Sequence, residues 1–207
     1  MNLTISLPGI RAIFVFSSAL IGLSLILIPI PTHAQYDLIA VFSDATHTNC
    51  GVTESCFYDD CGYLLFWVFH YSATGAKSSR FKAPEPPTCF AEIDWLGDYR
   101  PFPSTIGDSQ VGITIPYGSC TAGWTHILTI WYWTRYSSPT CCEYAVLPHP
   151  EASTGQVEVL DCADNWISAD AASAVVDPGP SCPCSIPTGI AHGVTTWGAV
   201  KALYIDN

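Results

Sequence analysis

The sequence is short of positive charge, with seven Lys or Arg residues in 207 against eighteen Asp or Glu residues. Proteins that bind nucleic acid rely on Lys and Arg to neutralise phosphates, so this balance excludes a nucleic-acid partner. It also argues against docking on an anionic membrane surface. The net charge of −11 instead keeps a chain that is 49% hydrophobic in solution.

The sequence also lacks the common signatures of catalysis and metal binding. It has no Gly-x-Ser-x-Gly turn, no His-Glu-x-x-His pair and no Cys-x-x-Cys pair. The acidic stretch 161–165 matches no complete calcium loop. Glu92, Asp94, Glu143 and Glu158 offer carboxylates for a glycosidase, but no pattern brings two of them together. We therefore predict no catalytic residue, no metal and no cofactor, with a secreted hydrolase of unrecognised site as an open alternative.

The first 34 residues have the composition of a secretory signal peptide. Arg11 precedes an almost wholly apolar stretch, residues 12–28, and prolines and the small residue Ala34 follow. We predict a signal peptide over residues 1–34 and a single secreted domain over residues 35–207, with no membrane insertion of the mature chain. Because the apolar stretch approaches the ~18 residues of a membrane helix, an uncleaved N-terminal anchor is the alternative.

Cysteine is abundant, with ten residues, all after the predicted leader. An even number of cysteines behind a signal peptide predicts a disulfide framework, which leaves no thiolate for metal binding or catalysis. Neighbouring Cys141 and Cys142 would point to opposite faces of a strand, so we expect them to have different partners. Cys182 and Cys184 should likewise reach two other sites. The predicted disulfide residues are Cys50, Cys56, Cys61, Cys89, Cys120, Cys141, Cys142, Cys162, Cys182 and Cys184.

Short apolar segments separated by Gly and Pro recur along the rest of the chain, which predicts an all-β fold. The predicted strands cover residues 36–43, 62–71, 89–95, 110–116, 124–134, 142–147 and 156–162. Together they would form a disulfide-stapled antiparallel β-sandwich of the Ig-like type. Residues 72–88 are predicted to be a surface connection, and residues 164–187 are small and polar, with a turn at Asp177-Pro-Gly-Pro180. The spacing of Trp197, Val200 and Leu203 predicts a short C-terminal helix, with a last strand as the alternative.

The aromatic run Trp124–Thr134 is predicted to be the central strand of the sandwich. Regular alternation would place Leu128 and Ile130 on the core face, together with Trp124 and His126. A histidine in that position is expected to be a hydrogen-bonded core residue.

Trp131 and Trp133 would then share the outer face of the same strand. Exposed rings on a sheet can stack on sugars or anchor a protein partner, so these two residues are the candidate ligand-binding site. Since monomers rarely expose large apolar patches, we expect the cysteine-rich loop or the C-terminal helix to cover them.

Two segments resemble a known group of proteins. One is the tail Thr196-Trp197-Gly198-Ala-Val-Lys201-Ala-Leu203-Tyr204, and the other runs from Gly118 through Cys142-Glu-Tyr144 to Pro150, with Asp161-Cys162 and Cys182-Pro-Cys184 after it. They are similar to uncharacterised secreted bacterial Ig-like β-sandwich proteins that end in a Thr-Trp-Gly-x-x-Lys-Ala-Leu-Tyr-type tail. The resemblance covers about the second half of the mature chain. It implies a secreted Ig-like module without a known reaction, and it supplies no catalytic residues.

The sequence therefore predicts a secreted, non-catalytic module that binds an unknown protein or glycan partner or interacts with the cell envelope. A carbohydrate-binding module that uses Trp131 and Trp133 is the first alternative.

Overall fold

The structure, a computed structural model, describes residues 36–54, 62–86 and 93–185. Regular structure in these ranges is entirely β-strand, and they contain no helix that could span a membrane. The predicted signal peptide, the predicted C-terminal helix and the cysteines at positions 56, 61 and 89 lie outside the described residues.

Two sheets contain all the strands of the described residues. These are β1 Asp37–Phe42, β2 Gly51–Val52, β3 Gly62–Phe81, β4 Ile93–Tyr99, β5 Ile106–Asp108, β6 Gly112–Thr134, β7 Cys142–Tyr144, β8 Glu158–Asp161, β9 Trp166–Ser168, β10 Asp170–Ala172 and β11 Ala174–Val176. The eight-stranded sheet has the order β10-β1-β3-β6-β4, with β5 paired to β6, β8 to β3 and β9 to β8. The three-stranded sheet has the order β2-β11-β7. Most pairs are antiparallel as predicted, but β1 with β10 and β2 with β11 are parallel.

The main core lies between the two sheets. Phe66 and Ile130 from the larger sheet pack in one buried cluster with Tyr144 and Val176 from the smaller sheet. The rings of Phe66 and Tyr144 stack at a centroid distance of 4.0 Å. This face-to-face packing of two sheets, with side chains from both inner faces, confirms the predicted β-sandwich.

Strands β3 and β6 are longer than predicted. β6 joins the two segments predicted as separate strands, and β3 continues to Phe81 through a stretch predicted to be a surface connection. Small polar residues such as Ser78 and Ser79 stay in the sheet because β3 has β6 on one side and β8 on the other. Position between two partners thus overrides weak local strand preference. Residues 166–176, in a stretch predicted to be small and polar with a turn, form three short strands: β9 pairs with β8, β10 with β1, and β11 with both β2 and β7.

Disulfides join the loops to the sheets. The described bridges are Cys50–Cys184, Cys120–Cys162 and Cys141–Cys182, and Cys142 is also disulfide-bonded. The predictions that Cys141 and Cys142 have different partners, and that Cys182 and Cys184 reach two other sites, are both confirmed. No cysteine of the described residues is free.

Gly75 makes room for one of these bridges. A Cβ atom at this position would lie 2.7 Å from the Cys120 sulfur and 2.9 Å from the Cys162 sulfur, and the backbone has a φ of +98°. Any side chain here would therefore collide with the bridge and strain the backbone.

A β-bulge at Ile127 changes which side chains of β6 face the core. Val68 pairs with Leu128, but the next residue, Phe69, pairs with His126, so Ile127 is the extra residue. Leu128 and Ile130 face the core as predicted. The prediction that Trp124 and His126 lie on the same face as Leu128 and Ile130 is wrong, because the extra residue reverses the alternation of side chains along the strand. Trp124 and His126 lie instead on the outer face, on the same side as Trp131 and Trp133.

Candidate functional site

The outer face of the eight-stranded sheet has two halves, both rich in aromatic side chains. We call the part around Phe42, Phe69 and Trp124 the closed half, because a loop covers it. We call the part formed by Tyr63, Leu65, Tyr99, Trp131 and Trp133 the open half. The cross-strand register places all of these side chains on the face opposite the main core.

In the closed half, the loop of residues 43–49 folds over the sheet. The ring of His47 lies 5.0 Å from the rings of both Phe69 and Trp124, and 6.0 Å from that of Phe42. Phe42 and Phe69 are buried as a result. The Cys50–Cys184 disulfide follows the loop directly and fixes its end.

Asp44 organises this loop through its carboxylate. It accepts hydrogen bonds from the backbone N–H groups of Thr46, Thr48 and Asn49. Burial alone would raise the pKa of Asp44, but these hydrogen bonds outweigh burial and lower it. The loop therefore has an internal anchor as well as a covalent one.

In the open half, the register brings together rings from three strands. Tyr63 of β3 lies opposite Trp133 of β6, Leu65 lies opposite Trp131, and Tyr99 of β4 occupies the other side of β6. Trp131 is 44% exposed, Tyr63 66% and Tyr99 59%. The expectation that both tryptophans are covered is therefore wrong for Trp131.

Trp133 is half-buried, and its ring lies close to that of Tyr63. The two ring centroids are 4.8 Å apart and the ring planes meet at 81°. An edge-on pair of this kind is a favourable aromatic geometry, and it fixes the two rings at a steep angle to each other.

A shallow cleft borders Trp131. Gly97 of β4 is the cross-strand partner of Trp131, and since it has no side chain it leaves space beside the indole ring. The cleft has a volume of ≈ 230 Å³ and is lined by Leu96, Gly97, Asp98, Tyr99 and Trp131. It can accept a small side chain from a partner next to the exposed indole.

Charged side chains at the rim of the open half are held by neighbours. Arg135 lies 3.5 Å from Asp94, an exposed ion pair at the end of β6. Asp98 pairs with the core residue Ile130 and lies behind the open half, where its buried carboxylate accepts hydrogen bonds from the backbone N–H and the hydroxyl of Ser109. The open half is therefore an apolar, aromatic surface with a polar rim.

A second cleft, of ≈ 290 Å³, opens at the other end of the open half. Its lining combines Tyr63 and Leu65 of the outer face with the buried residues Leu64 and Thr134 and with Glu54, which follows the smaller sheet. The Glu54 carboxylate accepts hydrogen bonds from the backbone N–H and hydroxyl of Ser138. Burial, with a smaller contribution from the negative charge of nearby Asp177, outweighs the Ser138 hydrogen bonds and raises the pKa of Glu54. We call this space the Glu54 cleft.

His126 lies between the two halves. It is half-buried, with its ring near those of Phe69 and Tyr99, and its Nε2 atom is 3.0 Å from the Leu128 carbonyl oxygen. The same atom is 2.8 Å from the Thr129 hydroxyl. Burial lowers the pKa of His126, and the hydrogen bond to Leu128 offsets only part of that effect. The predicted hydrogen-bonded histidine is thus found, but on the outer face.

The carboxylates considered for a glycosidase have separate partners on different strands. Asp94 pairs with Arg135, Glu143 accepts a hydrogen bond from the Ser173 hydroxyl, and Glu158 is buried in an ion pair with Arg80. The remaining candidate, at position 92, lies outside the described residues.

The Asp161 turn also uses its carboxylates locally. Asp161 accepts hydrogen bonds from the backbone N–H groups of Ala163 and Asn165, and Asp164 pairs with Lys77 at 2.7 Å. Among the described residues, no group of three or more His, Cys, Asp or Glu side chains could hold a metal ion.

Sequence reasoning identified Trp131 and Trp133 but missed Tyr63, Leu65 and Tyr99. Residues 63–71 carry large side chains on both faces, so their pattern does not show which of them lie on the outer face. It could not be used without the register between β3 and β6, which the sequence does not specify.

No protein-family model matches the chain, and no curated protein matches it. Among solved structures, it is similar to a non-cellulosomal cohesin from the archaeon Archaeoglobus fulgidus, with 9% identity and a TM-score of 0.44 over 68% of this chain and 91% of the other. The sixth cohesin of Acetivibrio cellulolyticus scaffoldin B, solved with a Cel5 dockerin, matches at 9% identity and a TM-score of 0.43 over 70% of this chain and 99% of the other. A cohesin module of a Clostridium perfringens family 33 glycoside hydrolase matches at 9% identity and a TM-score of 0.36, over 70% and 98% of the two chains. At these TM-scores the likeness carries no argument about what this chain binds.

Proposed function

We propose that this protein is a secreted, non-catalytic module that binds a protein partner through the open half. The observation that carries the proposal is the exposure of Trp131 beside Tyr63 and Tyr99 on one continuous face. The disulfides support secretion, because bridges of this kind persist in oxidising compartments.

The residue types of the open half are those that dominate protein interfaces. Trp, Tyr and Arg are the side chains most often found at binding hot spots, surrounded by a rim that excludes water. Trp131 and Tyr99 supply such anchors, and Arg135 lies at the rim. Since soluble monomers seldom expose contiguous apolar patches without a binding role, the exposure itself supports an interface.

Ring geometry favours a protein over a glycan as the partner. A sugar ring stacks on the flat face of an aromatic ring, so two adjacent rings that meet at a steep angle do not form one flat platform. Tyr63 and Trp133 meet at 81°, so these two rings cannot both lie flat beneath one sugar chain. Side chains of a protein partner can pack against rings at any angle. The alternative of a carbohydrate-binding module that uses Trp131 and Trp133 therefore has to do without the Tyr63 ring as part of the same platform.

Selection from a phage-displayed random-peptide library tests the proposal directly. The immobilised mature domain is the bait, and the affinities of synthetic versions of the selected peptides are then measured by calorimetry. We expect Trp131→Ala to weaken these peptides by about 30-fold or more, since loss of a hot-spot aromatic costs ~2 kcal/mol or more.

Leu147→Ala is the matched control, because Leu147 is a similarly exposed large apolar residue outside the open half. It should leave the affinities unchanged. Peptides that bind equally well to the wild-type domain and to Trp131→Ala would overturn the proposal, as would a library that yields no binders. A glycan array with binding that is lost in Trp131→Ala would assign the open half to carbohydrate instead.

A further inference from the structure

Among the residues that the structure describes, no Lys or Arg side chain pairs with the carboxylate of the Glu54 cleft. The ion pairs of the described residues engage Lys77, Arg80, Arg100 and Arg135 with other carboxylates, and none of these pairs involves Glu54. Within the described ranges, the Glu54 carboxylate accepts hydrogen bonds from Ser138. A partly buried carboxylate in this situation gains most from a ligand that brings positive charge.

The surroundings of Glu54 strengthen this preference. Asp177 accepts a hydrogen bond from the Glu54 backbone N–H at 3.0 Å, which places a second carboxylate nearby. The whole chain carries a net charge of −11. An anionic group would therefore be repelled from the cleft. A basic group would be attracted to it, even before it makes contact.

The shape of the cleft limits the size of that basic group. Its volume of ≈ 290 Å³ lies at the lower end of the range of about 300–1,000 Å³ that is typical of small-molecule pockets. Apolar residues of the lining, Val52, Leu64 and Leu65, offer a surface on which an aliphatic stem can lie while its charged end approaches Glu54. The Tyr63 ring can also attract a cation over its face.

We infer that the Glu54 cleft receives a Lys or Arg side chain of the protein partner, with Glu54 as its counter-charge and Tyr63 at its side. The inference rests on the proposed function, because Tyr63 and Leu65 belong to both the cleft and the open half. It adds a charge requirement to a surface that is otherwise aromatic: the partner must place one basic residue beside the segment that packs on Trp131.

The peptides selected on the domain provide the test. We expect them to share a Lys or Arg at a fixed distance from their apolar residues. Glu54→Gln should weaken such peptides about tenfold, as expected for loss of a charge-assisted hydrogen bond. Replacing the basic residue of the peptide by norleucine should have the same effect on the wild-type domain. When Glu54→Gln is combined with the norleucine peptide, the affinity should be no lower than with either change alone.

Two further variants control for other effects. Glu151→Gln removes a negative charge from an exposed position outside both clefts, so it should change affinity little. Glu54→Asp keeps the charge and should retain more of the affinity than Glu54→Gln. Should Glu54→Gln unfold the domain, the norleucine peptide still decides the question on the wild-type protein.

The outcomes separate this inference from the proposed function. Peptides that require Trp131 but share no basic residue, or that bind Glu54→Gln and Glu151→Gln equally, would overturn the inference and leave the protein-binding face in place. Peptides that ignore Trp131 would overturn both.

Discussion

The two halves of the outer sheet face use the same kinds of residue with opposite results. In the closed half, Phe42 is 1% exposed beneath the loop that carries His47. In the open half, Tyr63 is 66% exposed on the same side of the neighbouring strand. Both halves contain aromatic rings from the strands. The rings of the closed half are buried because the loop of residues 43–49 covers them.

Covering the closed half requires a loop held in one conformation, which costs conformational entropy. The structure meets this cost with the Asp44 hydrogen bonds, the Cys50–Cys184 bridge and the contacts of His47. Rings buried in this way contribute to stability, whereas rings left exposed remain available to a partner. The comparison therefore predicts that mutations in the closed half affect folding and that mutations in the open half affect binding.

Truncating one ring in each half is the strongest way to break this comparison. We expect Phe42→Ala to lower the free energy of unfolding by about 3–5 kcal/mol, because it leaves a cavity beneath His47. Tyr63→Ala should change it by about 0.5 kcal/mol or less, as is usual for exposed sites. Urea denaturation followed by tryptophan fluorescence measures both values.

Phe42→Leu is the control for the closed half, because it keeps most of the apolar volume and should lose much less stability than Phe42→Ala. If Phe42→Ala and Tyr63→Ala destabilised the protein equally, the distinction between a core half and a binding half would be wrong.

Removing the bridge that holds the covering loop should open the closed half. We expect the double variant Cys50→Ala, Cys184→Ala to lose about 2–5 kcal/mol of stability, the usual range for a native disulfide. Hydrogen exchange at the amides of Thr46, Thr48 and Asn49 should accelerate, because their hydrogen bonds to Asp44 depend on the loop conformation.

The bridge Cys120–Cys162 provides a matched control, since it joins β6 to the segment after β8 and not the end of the covering loop. Its removal should also reduce stability but leave exchange in the loop unchanged at temperatures where the domain is folded. If hydrogen exchange at the loop amides accelerated equally in both variants, it would reflect the stability of the whole domain, and the bridge would have no specific role in holding the loop over the closed half.

Much of the fold could be predicted because it depends on local pattern. Period-two alternation placed Leu128 and Ile130 in the core, and the even cysteine count predicted the disulfide framework. The separate partners of Cys141 and Cys142 followed from the opposite directions of adjacent side chains on a strand.

The composition of the open half could not be predicted because it depends on register. Tyr63 meets Trp133, and Gly97 leaves space beside Trp131, only because β3, β6 and β4 pair in one alignment. A single-residue bulge at Ile127 was enough to move Trp124 to the other face, and no residue in the sequence marks it. The sequence of residues 43–49 shows the Asp44 carboxylate and its hydrogen-bond donors. It does not show that the loop lies over the sheet, because that depends on the aromatic rings that pack against His47.

The bulge also produces the smallest of the expected effects, at the border between the halves. Burial lowers the pKa of His126, so the folded protein binds this proton less tightly than the unfolded chain does. Above the ordinary pKa of 6.5 both states are neutral and His126 has no influence on stability. As the pH falls below 6.5, the unfolded state is protonated first, and stability decreases until the folded state is protonated as well. We expect urea denaturation to show this loss for the wild type but not for His126→Gln, which keeps a donor for the Leu128 carbonyl. If the stability of the two proteins changed with pH in the same way, folding would not lower the pKa of His126, and this part of the border between the halves would not be buried as described.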